Sequence, residues 1–154
     1  MKTLEQWFAE YAVSHQNPIN KEIHYLCVPA IYFSIIGLLM SIPKMFLENI
    51  FSDQYPIFIN WATVVLIPIM LFYFSLSVAM AIKIAIFSIF CLVINYFIGL
   101  YFPLSLFSIF VFIIAWIGQF YGHKIEGKKP SFLKDIQFLL IGPAWVIQNL
   151  LSKK

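Results

Sequence analysis

The chain carries three histidines, His15, His24 and His123, and imidazole is the commonest metal ligand and the side chain that titrates nearest neutral pH. Gln119, His123 and Glu126 stand at i, i+4 and i+7. On a continuing helix that spacing puts an amide, an imidazole and a carboxylate on one face. On one continuous helix His15 and His24 would point about 180° apart, but Asn17-Pro18 breaks the segment into two elements that can fold toward each other. Nitrogen from two or three histidines, with a carboxylate oxygen and open positions, suits non-haem Fe(II), and zinc accepts a similar set. A plainer reading needs no metal: interfacial histidines, each hydrogen-bonded to a loop carbonyl.

The elements that must position these residues are membrane helices. Of 154 residues, 62% are hydrophobic and 11% charged, far from the roughly 25% charged mix of soluble domains. The expected fold is a single all-α integral membrane domain over residues 1–154. Every one of its ten basic residues is lysine, and their placement beside apolar runs reads as membrane-flanking charge, not a nucleic-acid footprint. Cys27 and Cys91 lie in apolar runs without metal-type spacing and read as small buried hydrophobes. The N-terminus lacks the basic-then-apolar pattern of a cleaved signal, so the first span is expected to be retained.

A Thr3-Leu4-Glu5-Gln6 capping box followed by Leu4, Trp7, Phe8 and Tyr11 on one stripe predicts an amphipathic helix in the membrane interface, with His15 continuing the stripe. Four uncharged runs long enough to cross about 30 Å of hydrocarbon follow: residues 24–43, 57–82 with Pro68 as a kink, 84–102 after a turn near Lys83, and 104–121. The last apolar segment, 136–151, is short and interrupted at Gly142-Pro143, which predicts a short or half-inserted helix. Lysines 124, 128, 129 and 134 between the last two segments place that loop, the N-terminus and all three histidines on the cytoplasmic side, by the excess of positive charge there. Compact length favours a bacterial inner membrane.

Other residues carry less. Asn95, inside the third run, predicts an interhelical hydrogen bond. The aromatic residues, 19% of the chain, read as span packing and interfacial belt. No P-loop, GxSxG, CxxC or dinucleotide fingerprint is present, which removes ATPases, serine hydrolases and nicotinamide enzymes.

Two blocks resemble the yeast-type 2-hydroxy fatty acid dioxygenase family of small integral membrane proteins. The first is His15-Gln16-Asn17-Pro18-Ile19-Asn20 with His24 and Pro29; the second is Gln119-Phe120-Tyr121-Gly122-His123 with Glu126, Pro130 and Pro143. Ser131 stands where the family pattern has alanine. The resemblance implies iron-dependent α-oxidation, in which a 2-hydroxy fatty acid and molecular oxygen give the acid one carbon shorter and carbon dioxide. It further implies His15, His24 and His123 as Fe(II) ligands, with Glu126, Asn17, Asn20 and Gln119 as further ligands or neighbours. Two readings of other classes stand beside it: a non-catalytic lipid-binding or scaffolding membrane protein, and a zinc-dependent membrane lipid hydrolase.

Overall fold

A computed structural model describes residues 2–51, 55–129 and 137–152. Asp53 and the 130–135 part of the basic loop, with Pro130, Ser131, Lys134 and Asp135, lie outside the described residues. Among the described residues the fold is all helical: α1 Leu4–Ala12, α2 Pro18–Met40, α3 Met45–Glu48, α4 Trp61–Leu76, α5 Val78–Tyr101, α6 Leu104–Glu126 and α7 Gln137–Ser152. Three of them, α2, α5 and α6, are long and apolar enough to cross a membrane. The protein is an all-α membrane protein.

The second expected span is corrected. Its run divides at Ser77, whose hydroxyl accepts from the Met80 amide and caps α5, as a serine does at a helix start. Lys83 therefore lies inside α5, not in a turn, and α4 keeps 16 residues, roughly 24 Å at the helical rise. The first span begins at Pro18 instead of His24, because proline is pre-organised for a first helical position. Asn17 supplies the cap, its Oδ1 accepting from the Ile19 and Asn20 amides at 2.9 and 3.4 Å. The run 104–121 continues as helix through Glu126. Gly127, at φ 70°, then stops it in a Schellman turn, with Gly127 N–H donating to Lys124 O and Lys128 N–H to His123 O.

The chain divides into two compact units, Met1–Tyr32 with Ile113–Lys154, and Phe33–Phe112. In the first, the capping box at Thr3 forms as expected. The apolar stripe of α1, with Leu4, Trp7 and Tyr11 buried, is covered by α7, where Phe138 meets the Trp7 ring edge-on at 5.6 Å and Trp145 lies 5.3 Å from Tyr11. Of lipid or protein, either of which could cover this stripe, the structure supplies protein in a helix-on-helix contact. Helix α7 also runs unbroken through Pro143.

In the second unit α4 packs along α5. Asn95 makes the expected interhelical bond, donating to Phe33 O at 3.1 Å and to Cys91 O at 2.9 Å. Gly37 lies so close that a Cβ added there would collide with Ser108 Oγ and Asn95 Oδ1, whereas one added at Gly99 would meet Leu104 in ordinary contact at 3.6 Å. Small residues allow such close helix approach in membranes. Gly37→Val should cost about 1–3 kcal/mol through overpacking. Gly99→Ala should hold or raise stability, because alanine favours helix. Thermal unfolding of the detergent-solubilised variants checks both.

Candidate metal centre

The three histidines meet in the first unit. His15 is in the turn between α1 and α2, His24 in the second turn of α2, and His123 in the last turn of α6. All are buried, with exposures of 1%, 0% and 3%, and one nitrogen from each lies within 4.8 Å of the others. Their rings stand steeply to one another, at 78°, 68° and 86°, with centroids 4.4–5.1 Å apart. Edges, not faces, therefore converge.

Backbone carbonyls set which edge points inward. His15 Nδ1–H donates to Tyr11 O at 2.7 Å, and His24 Nδ1–H to Asn20 O at 2.8 Å. Both use the carbonyl four residues earlier, the neighbour that helical spacing supplies. With the proton on Nδ1, each ring turns an unprotonated Nε2 inward, the arrangement found in ligating histidines. His24 Nε2 lies 3.2 Å from His123 Nε2. Two metal–nitrogen bonds of about 2.0–2.1 Å meeting at about 90–109° would hold their nitrogens roughly 2.8–3.4 Å apart, so the spacing of this pair fits a shared ion. Among the described residues, buried His15 Nε2 and His123 Nδ1 have no hydrogen-bond partner. An unpartnered buried polar atom costs about 1–3 kcal/mol, a cost that a bound cation would offset at His15. Burial, with His24 adding to it, pushes the His15 pKa down to about 3. At neutral pH the ring is uncharged and its lone pair is free to ligate.

What lets α2 and α6 come so close is glycine. A Cβ on Gly118 would stand 2.6 Å from Cys27 Sγ, and one on Gly122 would collide with Asn20 Oδ1. These two glycines, four apart on α6, form the small-xxx-small spacing of tight membrane helix pairs. That signal was in the sequence and went unread. Equally unread was the aromatic wall: Tyr11 stacks on His15 at 4.1 Å, and Trp145 of α7 lies 5.5 Å from His15 and 5.9 Å from Tyr25. Nothing local in the sequence marks Trp145 as a neighbour of His15.

The other candidates take distinct places. Gln119 is buried and its side chain hydrogen-bonds His24. Glu126 accepts from Gln16 N–H at 2.8 Å, Asn17 N–H at 2.9 Å and Asn20 Nδ2 at 3.0 Å. Asn20 also donates to Ser14 O at 3.3 Å, so both hydrogens of its amide face acceptors and its buried Oδ1 is left without a partner among the described residues. Asn17 caps α2. The histidines thus form the cluster, and the other four surround or brace it.

A family model described as 2-hydroxy-palmitic acid dioxygenase Mpo1-like matches residues 1–154. The chain belongs to the Mpo1-like family. No curated protein and no solved structure matches it. The matched span of this Mpo1-like chain includes both histidine blocks.

If glycine sets the α2–α6 distance in this Mpo1-like protein, Gly122→Leu should weaken cobalt binding by roughly tenfold or more, the size of effect seen when groups supporting metal ligands are lost. Helix content should stay unchanged. Chelator competition and circular dichroism measure the two.

Proposed function

We propose that the protein is an Fe(II)-dependent dioxygenase that converts 2-hydroxy fatty acids to the acid one carbon shorter and carbon dioxide. The observation that carries this reading is the buried convergence of His15, His24 and His123 in a chain of the Mpo1-like family. Bound there, Fe(II) supplies a Lewis-acidic centre with positions open to the hydroxyl and carboxylate oxygens of the substrate and to dioxygen.

The chain's own residues hold, orient and shield. The Tyr11 and Asn20 carbonyls fix the His15 and His24 rings, and Gln119 adds a hydrogen bond to His24. Tyr11 and Trp145 cover one side of His15, excluding water and strengthening every polar interaction inside. The membrane setting suits the substrate, since the acyl chain can remain in hydrocarbon while the head group reaches the histidines. For RCH(OH)COOH + O2 → RCOOH + CO2 + H2O, the α-carbon loses three electrons and the carboxyl carbon one, and dioxygen accepts all four. No separate reductant is needed.

Purified without chelator under anaerobic conditions, the protein should carry near-stoichiometric iron. Given oxygen and 2-hydroxypalmitate, it should yield pentadecanoic acid and carbon dioxide by mass spectrometry. His123→Ala should lose the iron and lower turnover by about 100-fold or more, the upper range for disrupted metal sites. Absence of bound metal would sink the reading, and oxygen-independent cleavage of a lipid ester or amide would replace it with a zinc hydrolase.

A further inference from the structure

His15 alone among the three histidines lies outside a helix, in the turn that joins α1 to α2. His24 and His123 ride on the backbones of α2 and α6, so their separation follows from helix packing. Something else must hold the turn. Its contacts with α6 come from residues on either side of His15. On one side, Lys128 Nζ donates to Val13 O at 2.6 Å. On the other, Glu126 accepts the amides of Gln16 and Asn17 at 2.8 and 2.9 Å, one on each carboxylate oxygen. A cation takes the carbonyl before the histidine and an anion takes the amides after it, so each charge meets the end of the peptide dipole that it favours. The Schellman turn at Gly127 reverses the chain directly after α6 and so sends Lys128 back toward the turn.

We infer that the C-terminal end of α6 is a clamp that sets His15 in the metal site, with Glu126 and Lys128 as positioning residues for that one ligand. The inference rests on the metal reading of the three histidines and assigns Glu126 a role apart from ligation. Both Glu126 oxygens already accept from the turn, and Asn20 Nδ2 adds a third donor at 3.0 Å. Losing the carboxylate therefore frees the turn first, and reaches the metal only through His15.

The test uses the full chain in detergent, titrated with cobalt against a chelator and followed by its visible spectrum, with no turnover needed. E126Q presents one oxygen where two accepted, so at least one amide loses its acceptor. It should weaken cobalt binding by about tenfold or more, and its spectrum should match that of H15A. The double variant H15A/E126Q should bind within about twofold of H15A alone, the non-additivity expected of residues acting through one another. K128M, which removes the other jaw, should shift affinity in the same direction. Amide exchange at Gln16 and Asn17 should rise at least about tenfold in E126Q and stay unchanged in H15A, since the clamp does not need the imidazole. A full further loss in the double variant, or unchanged exchange in E126Q, would overturn the clamp. A wild-type chain that takes up no cobalt overturns the metal reading, and the positioning role falls with it.

Discussion

Close approach of the α6 backbone to side chains of α2 governs the geometry of the first unit. Where α2 crosses α6, Gly118 and Gly122 leave no room for even one methyl group, and the imidazoles of His24 and His123 arrive with nitrogens 3.2 Å apart. Lipid gives helices no hydrophobic reason to approach each other, so van der Waals contact between small residues has to supply it. Larger side chains at those two positions would separate the nitrogens before they altered any other property of the helices. The histidines are thus a consequence of packing as much as of sequence: side chains placed by i−4 carbonyls and brought together by missing ones.

The second unit uses the same material differently. Asn95 is fully buried and donates to two carbonyls, one on its own helix and one on α2, and Gly37 lets the chain close around it. There the side-chain amide N–H groups are satisfied by backbone and fix register, while Asn95 Oδ1 and Ser108 Oγ are left without a hydrogen-bond partner among the described residues. In the first unit buried His15 Nε2, His123 Nδ1 and Asn20 Oδ1 are left likewise. What sets the first unit apart is that its unpartnered atoms include nitrogens of a three-histidine cluster, a donor set that suits a cation.

Much of this was legible in the residues. Apolar run lengths announced membrane helices, the Thr3 capping box marked the start of α1, and the i, i+4, i+7 spacing of Gln119, His123 and Glu126 anticipated a continuous α6. Hydropathy failed at Ser77, because a single serine between apolar residues hardly lowers a window average while its hydroxyl is enough to start a helix. It also starts the first span late, at His24 and not at Pro18, since Lys21 and Glu22 belong to the first turns of a helix that is apolar only later. The packing of α7 on α1 had no local signature: it depends on Phe138 and Trp145 finding the Trp7 and Tyr11 rings across most of the chain. The i, i+4, i+7 spacing puts Glu126 on the His123 face, and the family resemblance leaves it as a further ligand or a neighbour; spacing alone does not reveal that backbone amides of a distant turn already occupy its oxygens.

That occupation bears on which ion the protein acquires. With Glu126 turned to amides, the converging donors among the described residues are three imidazoles, a set with no hard oxygen and no thiolate. Along the first-row divalent series such nitrogen sites hold copper and zinc more tightly than Fe(II). In the proposed dioxygenase, selection for iron would then not come from affinity and would fall to site geometry and to the relative abundance of free metals when the chain folds. The proposed enzyme, made in a zinc-rich, iron-poor cell, would be folded and inserted yet carry the wrong ion.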